Sequence, residues 1–301
     1  MSARSTPSGS LMGLGAYLLW GLFPLYFHAM APSGPLEVLA NRIGWSLLFC
    51  LLVLGVGRQW EWLRPLLRRR RLIAGLTAAA LVLALNWGVY VAAVMSGHTS
   101  EAALGYFLNP LITVALGVVI LKEPLRRLQW VAIGIGAVAA AYLTIAGGRP
   151  PWVALTLAVS FALYGLVKKR VGASLPAMHG LTVETAVLMP VAIALLVAIG
   201  LGVGGVPMSF AGYGAWHTTL LVLTGPVTAI PLLLFAAAAR RVPLVTIGLL
   251  QFVTPVMQLL CSLILGEVIT PARWAGFALV WVALVVLSVD SWRARGISAT
   301  S

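Results

Sequence analysis

The sequence predicts an all-α, polytopic membrane protein with ten transmembrane helices. Of its 301 residues, 61% are hydrophobic and 9% are charged, whereas soluble domains carry about a quarter charged residues. The apolar residues form long runs without the alternation that is typical of strands, and a helix satisfies its own backbone hydrogen bonds in lipid. A large soluble domain is excluded, because ten spans of about 20 residues leave little chain for anything but loops.

Ten apolar stretches are long enough to cross a bilayer. The first follows a tail with one basic residue, Arg4, and lacks a clean small-residue cleavage site, so we assign it to a helix rather than to a signal peptide. In chain order, the predicted spans cover residues 11–30, 36–56, 72–95, 100–121, 128–146, 151–167, 180–201, 213–238, 243–266 and 272–290.

The basic residues predict the orientation of these spans. All but three of the 20 Lys and Arg residues lie on one predicted side, in the tails and in alternate loops; the exceptions are Arg42, Arg149 and Arg273. Because basic loops are retained in the cytoplasm, both termini are predicted to be cytoplasmic. The net charge of +13 therefore reflects topology, and no nucleic-acid partner is expected.

The two halves of the chain resemble one another. Ile120, Leu121, Glu123 and Trp130 align with Ile264, Leu265, Glu267 and Trp274. Each half holds five helices, an odd number, so the second half enters the membrane from the opposite side, as in the inverted repeats of secondary transporters. The predicted organisation is a cytoplasmic tail (1–10), a five-helix repeat (11–146), an inverted five-helix repeat (151–290) and a second cytoplasmic tail (291–301). Chance similarity between apolar sequences is the alternative.

Six stretches of the sequence are characteristic: EVLANRIGWS (37–46), NWGVYVAAVMSGHTSEAALGYFLNPL (86–111), LKEPLRRLQW (121–130), FALYGLVKKR (161–170), VTAIPLLLFAAAARRVPLVTIGLLQFVTP (227–255) and GFALVWVAL (276–284). They resemble the RarD branch of the EamA-like transporters, in the drug/metabolite transporter superfamily. The run LGYFLNP is the most specific of them. The resemblance implies a permease of the bacterial inner membrane with two EamA-type repeats, in a group named for chloramphenicol sensitivity or resistance. It implies no agreed set of functional residues.

Ionisable residues within the spans are the first candidates for a site, because charges inside a membrane are costly. Arg42 lies about six residues into the second span, and Glu101 opens the fourth span at a similar depth, where it could pair with Arg42. Arg42 could also bind an anionic part of a substrate. A third interpretation is that its side chain extends to the outer headgroups.

Prolines and amides in corresponding spans are the second group of candidates. Asn109 precedes Pro110 in the fourth span, and Gln251 precedes Pro255 in the ninth. Proline removes a backbone donor, so these positions are predicted to be hinges or helix breaks that expose carbonyls near the bilayer midplane. The alternative is that prolines and amides only bend helices and join them.

Aromatic residues predict an apolar wall for the site. Trp20 shares a helix face with Tyr17 and Phe27 in the first span, while Asn86 and Tyr90 lie one turn apart in the third. This mixture suits an amphipathic organic solute, although aromatic stripes at helical spacing also arise from plain packing.

Three further predictions concern packing and exposure. Gly105 is predicted to let a neighbouring backbone approach, and Gly134 and Gly136 are predicted to pack closely against another helix. Glu184, close in sequence to basic residues, is predicted to be a surface charge. Cys50 and Cys261 lie inside apolar runs and supply neither a disulfide framework nor a metal site, and no cofactor is expected.

These features favour a secondary transporter that moves a small organic metabolite or drug-like solute by alternating access, driven by the solute gradient or by protons. If protons are coupled, Glu101 is the candidate carrier. Two alternatives stay open: an intramembrane enzyme acting on lipid or peptide, for which the sequence lacks H-E-x-x-H and G-x-S-x-G motifs, and a passive channel. The expected partners are a small-molecule substrate and the lipid bilayer, and a monomer and a homodimer both stay open.

Overall fold

The computed structural model of the chain describes residues 7–121, 126–147, 150–171, 175–202, 207–239 and 250–298, and the regular structure within these ranges is helical. The described helices are α1 (Pro7–Gly21), α2 (Phe23–His28), α3 (Pro35–Val56), α4 (Leu63–Leu67), α5 (Arg70–Met95), α6 (Thr99–Leu121), α7 (Arg127–Gly147), α8 (Trp152–Val171), α9 (Ala177–Gly200), α10 (Gly214–Ala239), α11 (Val253–Ile264) and α12 (Pro271–Ser298). Glu123, Arg149 and the start of the predicted ninth span lie outside the described residues.

Most helix ends lie within a few residues of the predicted spans, but the first predicted span consists of two helices. α1 ends at Gly21 and α2 begins at Phe23. Pro24 stands in the first turn of α2. Backbone N–H groups in the first turn have no partner within the helix, so the N–H group that proline lacks costs no helical hydrogen bond. The single helix that we expected here is therefore divided, and the residues before and after Leu22 belong to different helices.

The exterior of the molecule is suited to lipid. Seven described stretches are long and apolar enough to cross a membrane: Ser8–His28, Pro35–Val56, Arg70–Met95, Arg127–Ala146, Ala177–Gly200, Gly214–Phe235 and Pro271–Asp290. Large apolar side chains are widely exposed, for example Val56 at 88% and Ile145 at 82%. An apolar surface of this extent is stable against lipid rather than water, so the chain is a multi-pass membrane protein.

The helices that precede residues 148–149 pack against the helices that follow them. α1 contacts α10 and α11, and α8 contacts α5 and α6. In addition, α3 contacts α9 and α10, α7 contacts α12, and α6 contacts α11. The larger apolar clusters of the described residues each combine side chains from both halves, so the core forms between the halves rather than within them.

Glycines allow the closest of these approaches. A Cβ atom on Gly105 of α6 would lie 2.8 Å from the carbonyl oxygen of Ala154 in α8, which confirms the predicted backbone approach. A Cβ atom on Gly225 of α10 would lie 2.3 Å from the carbonyl oxygen of Trp45 in α3. At both positions any larger residue would push two helices apart.

Two predictions about packing and exposure are wrong. A Cβ atom on Gly134 would meet no atom of the described residues within 4 Å, although one on the nearby Gly136 would lie 2.7 Å from Leu111. Glu184 is 1% exposed rather than a surface charge, and it accepts a hydrogen bond from the Tyr164 hydroxyl at 3.3 Å. The sequence neighbours of Glu184 suggested a charged surface, but its position inside α9 turns its side chain towards α8.

Candidate functional site

Arg42 of α3 is buried among aromatic rings of α2 and α5. The residue is 4% exposed, and its guanidinium carbon lies 4.1 Å from the ring centroid of Trp87. The same carbon lies 5.3 Å from the centroid of Phe23 and 5.6 Å from that of Phe27. These distances are typical of cation–π contacts, which hold a guanidinium in an apolar setting without neutralising its charge.

The hydrogen bonds of Arg42 are incomplete within the described part of the chain. Its Nε donates to the hydroxyl of Thr228 in α10 at 3.0 Å, whereas its Nη1 is buried without a partner. A buried guanidinium normally has a carboxylate partner, because the loss of hydration must be compensated. Arg42 therefore presents an unused donor and an uncompensated positive charge at the contact between the two halves.

Glu101 does not supply the missing partner. Its carboxylate accepts a hydrogen bond from the backbone N–H of Val153 at 3.3 Å, and an oxygen of the same carboxylate lies 4.0 Å from Nη2 of Arg273. The suggested ion pair between Arg42 and Glu101 is wrong, because Glu101 is directed towards α8 and α12. Arg42 and Glu101 were predicted at a similar depth in the membrane, but their side chains are directed towards different helices.

A network of polar side chains extends from α5 to α6, α8 and α11. The Tyr90 hydroxyl accepts a hydrogen bond from Nε2 of Gln258 at 3.0 Å, and the Tyr90 ring meets the Tyr106 ring edge-on at 5.6 Å. The Tyr106 hydroxyl donates to Oδ1 of Asn86 at 3.3 Å. Nδ2 of Asn86 donates to the Ser160 hydroxyl at 2.9 Å. The two predicted residues of α5 are thus part of one network.

This network adjoins Arg42. The ring of Phe27, which contacts the guanidinium, lies 5.9 Å from the ring of Tyr90. Oε1 of Gln258 is buried and has no hydrogen-bond partner among the described residues. We call the following residues the central cluster: Arg42, Asn86, Trp87, Tyr90, Tyr106, Thr228 and Gln258.

The two amides that precede the prolines also meet. Nε2 of Gln251 donates to Oδ1 of Asn109 at 3.2 Å, and Nδ2 of Asn109 donates to the carbonyl of Ala158 at 3.1 Å. α6 continues through Pro110 without a break, while residues 251–252 form a turn and α11 begins two residues before Pro255. The interruption among the described residues therefore lies beside Gln251 and not at Asn109.

The ring of Trp20 packs mainly against residues outside the central cluster. Its ring lies 5.6 Å from that of Tyr17 and 5.8 Å from that of Phe235 in α10, whereas Phe27 is turned towards Tyr90. The predicted aromatic face is divided because α1 and α2 are separate helices. Trp20 reaches the central cluster through its backbone carbonyl, which is 3.5 Å from Nε2 of Gln258.

A cavity of about 540 Å³ opens between the end of α2, the turn from α5 to α6 and the turn from α11 to α12. Its lining includes His28, His98, Glu267 and Arg273. Glu267 accepts hydrogen bonds from the backbone N–H of Ser100 at 2.9 Å and from the Ser100 hydroxyl, and it pairs with Arg273 at 3.3 Å. We call this space the outer cavity, since its lining falls on the side predicted to face away from the cytoplasm.

A buried group of Glu, Ser and His side chains lies near the same side and was not predicted. Glu37 accepts hydrogen bonds from the backbone N–H groups of Ser209 and Phe210, both at 2.9 Å, and from the Ser209 hydroxyl. Nε2 of His217 lies 2.9 Å from the Ser209 hydroxyl. In hydrolytic triads the acid orients the histidine, but here Glu37 bonds to the serine and to backbone, so the group fastens the segment before α10 to α3.

Thr228 and Trp87 were also missed by the sequence reasoning. Thr228 lies in α10 between Pro226 and Pro231, and a hydroxyl between two prolines of an apolar helix is a signal that could have been used. Trp87 directly follows Asn86, but nothing in the sequence shows that its ring faces Arg42. The second half of the chain supplies its part of the site mainly through Thr228 and Gln258.

A multi-pass helical protein with a buried polar cluster between its two halves has the architecture of a membrane transporter. The EamA-like transporter family matches residues 7–145. The chain is 50% identical to Protein RarD of Streptomyces exfoliatus over 288 residues, which cover 95% of this chain and 90% of that one. It is 40% identical to an uncharacterized transporter of Pseudomonas aeruginosa over 97% of each chain.

The chain therefore belongs to the EamA-like transporter family, among the relatives named RarD. A solved crystal structure that is 18% identical in sequence superposes on 96% of this chain and 99% of its own, with a TM-score of 0.58. That likeness supports a shared fold and nothing more specific.

Proposed function

We propose that the protein is a secondary transporter of the bacterial inner membrane that moves a small organic solute by alternating access. In this proposal ten transmembrane helices form two inverted five-helix repeats, both termini are cytoplasmic, and the solute binds at the central cluster. The observation that carries it is Arg42, a buried cation that has no carboxylate partner among the described residues and is bonded to the opposite half through Thr228. Secondary transporters bind their substrates at such contacts between repeats.

The packing of the helices supports the inverted repeat. If the halves correspond, the first span (α1 with α2) is equivalent to α8, and α3, α5, α6 and α7 are equivalent to α9, α10, α11 and α12. The contacts of α1 with α10 and α11 then have their counterparts in the contacts of α8 with α5 and α6. The pairs α3 with α9, α6 with α11 and α7 with α12 are each related to themselves, as a two-fold axis requires.

Contacts between distant residues support the predicted alternation of the spans. Glu267 bonds to Ser100, and both belong to segments predicted to lie outside. At the opposite face, Arg126 pairs with Asp290 at 2.5 Å, and both belong to segments predicted to be cytoplasmic. A missed or additional span would have put one member of such a pair on the wrong side.

Transport by the purified protein is the direct test. Proteoliposomes containing the protein are incubated with a bacterial metabolite extract, and the trapped compounds are identified by mass spectrometry. We expect at least one organic compound to accumulate in a saturable manner with the wild-type protein and not with Arg42→Met, because the buried charge would be lost. Arg64→Met, a change at an exposed position in α4, is the matched control and should accumulate the same compound.

The same experiment separates the alternatives. A channel would give uptake that does not saturate with concentration, and an enzyme would release compounds of altered mass. Equal retention by protein-containing and empty liposomes would contradict the transport function.

A further inference from the structure

We propose that the transported solute carries a carboxylate, which binds to the free end of the Arg42 guanidinium, on an otherwise largely apolar body. This inference rests on the proposed function, because it names the chemistry of the solute at the same site. It goes beyond that function by specifying the sign and the number of the charge and by adding a second polar group to the solute.

No carboxylate among the described residues pairs with the positive charge of Arg42. The buried carboxylates that could have paired with it are used elsewhere: Glu37 binds Ser209, and Glu101 lies against Val153. Thr228 bonds only to Nε, so the two terminal nitrogens of the guanidinium are left to bind a solute. One of them, Nη1, is buried without a partner among the described residues. This planar pair of nitrogens matches the two oxygens of a carboxylate, which it binds with two parallel hydrogen bonds.

The surroundings favour a single negative charge. Among the described residues, Arg42 is the one buried Lys or Arg. A doubly charged phosphate would bring one more negative charge than this site can balance, whereas a carboxylate forms a neutral pair. The rings of Phe23, Phe27 and Trp87 surround the guanidinium and provide an apolar wall for the rest of the solute.

Gln258 indicates a second point of recognition. Its Nε2 donates to the Tyr90 hydroxyl, and its Oε1 is buried without a donor among the described residues. An unpaired buried acceptor is costly, so a solute that reaches it gains a hydrogen bond by presenting an N–H or O–H group. The expected solute therefore has a carboxylate at one end and a hydrogen-bond donor at a distance from it, across the aromatic residues.

Pairs of probes that differ only in charge test this inference without knowledge of the natural solute. Thermal unfolding of the purified wild-type protein is measured with benzoate against benzamide, and with indole-3-acetate against indole-3-acetamide, at constant ionic strength. Phenyl phosphate and chloride are the comparison anions. A ligand that binds only the folded protein raises the melting temperature. We expect the carboxylates to raise it in a concentration-dependent manner and more than the amides do.

Variants assign the effect to Arg42. Arg42→Met should weaken the binding of the carboxylates at least about thirtyfold, since removal of one member of a buried charge pair has a large effect. Arg42→Lys keeps the charge but loses the planar pair of donors, so it should bind with intermediate affinity. Arg64→Met should bind as the wild type does. If Arg42→Met does not fold, the comparison of carboxylates with amides on the wild-type protein still decides the sign of the charge.

Four results would overturn the inference: no stabilisation by any carboxylate, equal stabilisation by the matched amides, stronger stabilisation by phenyl phosphate or chloride, or undiminished binding to Arg42→Met. Counterflow of a bound probe in proteoliposomes separates this inference from the transport function. A carboxylate that binds at Arg42 but is never transported would remove the function and keep the site. Saturable transport of a neutral solute that is independent of Arg42 would keep the function and remove the inference.

Discussion

At the scale of single residues, charged groups join distant parts of the chain. Glu37 of α3 holds the segment before α10, and Glu101 of α6 bonds to α8 and approaches Arg273 of α12. Among the buried Lys, Arg, Asp and Glu side chains of the described residues, only Arg42 has a buried polar atom without a hydrogen-bond partner. This contrast separates side chains that fasten the structure from a side chain that is left to bind something else.

Glu101 is our candidate for the proton carrier, because its carboxylate is 8% exposed and lies next to the outer cavity through its contact with Arg273. Protonation would neutralise the carboxylate and weaken its attraction to Arg273, which stays paired with Glu267, and such a change of charge can couple a proton to a movement. We expect uptake by wild-type proteoliposomes to depend on an imposed pH gradient. Glu101→Gln, which imitates the protonated group, should transport at a rate that no longer responds to that gradient.

Glu61→Gln is the control for this experiment, since Glu61 is exposed in the segment before α4 and should keep the response. A response to pH that persists in Glu101→Gln would reject Glu101 as the carrier. Loss of uptake at every pH, with a normal melting temperature, would instead assign Glu101 to substrate binding or to closure of the outer cavity.

Sequence reasoning predicted several site residues but not their partners. Asn86 and Tyr90 one turn apart, and Asn109 with Gln251 in corresponding spans, were singled out by spacing and by amide type. In the structure Gln251 donates to Asn109, and Tyr106 links the other two through a hydrogen bond to Asn86 and a ring contact with Tyr90. The pairing of Arg42 with Glu101 failed because depth in the membrane can be counted along a helix, whereas the rotation of that helix against its neighbours cannot.

At the scale of helices, glycine determines how closely α10 approaches α3. Replacement of Gly225 by alanine would place a methyl group 2.3 Å from the carbonyl oxygen of Trp45. The carbonyl oxygen belongs to the backbone of α3, and the new methyl group would be attached directly to the backbone of α10. Because neither can turn away without its helix, the two helices must separate. We expect Gly225→Ala to lower the free energy of unfolding by about 1–3 kcal/mol, the range found for overpacked cores. Thermal or denaturant unfolding of the purified protein measures the change.

Gly165→Ala is the matched control for that substitution. Gly165 lies within α8, and a Cβ atom there would meet no atom within 4 Å. Alanine is favoured over glycine inside a helix by about 1 kcal/mol, so this variant should be at least as stable as the wild type. Equal destabilisation of both variants would mean that the close contact between α10 and α3 is not what Gly225 provides.

The lengths of the helices were more predictable than their arrangement. Uninterrupted apolar runs predicted where most helices begin and end, because lipid requires each span to satisfy its own backbone hydrogen bonds. The break between α1 and α2 was missed, although Pro24 stands directly after it. Which helix packs against which depends on contacts across the whole chain, for instance Gly105 against Ala154, and a single sequence carries little information about them.

At the scale of the whole molecule, the inverted repeat has a testable geometry. The loop after α3 contains Gln59 and its counterpart after α9 contains Tyr213, so the two positions should lie on opposite sides of the membrane. In intact bacterial cells, a membrane-impermeant maleimide should label Tyr213→Cys and should leave Gln59→Cys unlabelled. Both side chains are exposed in the structure. Labelling is measured by a shift in gel mobility with a polymer-tagged reagent.

The natural cysteines are removed first, as Cys50→Ala and Cys261→Ala, although both are buried. Permeabilised cells are the control, and Gln59→Cys should become labelled there. Labelling of both positions from the same side would contradict the inverted repeat, and labelling of Gln59→Cys alone from outside would reverse the proposed orientation.

The bonds between the halves have a consequence for biosynthesis. Arg42 is separated by 186 residues from Thr228, and Ser100 by 167 residues from the Glu267 that binds the start of α6. At synthesis rates of about 5–20 residues per second, Arg42 waits roughly 10–40 s for its hydroxyl partner. Until then the guanidinium of Arg42 lacks the Thr228 hydroxyl, and the start of α6 lacks the Glu267 carboxylate. Helices and loops that are synthesised late therefore supply hydrogen bonds that the first half needs.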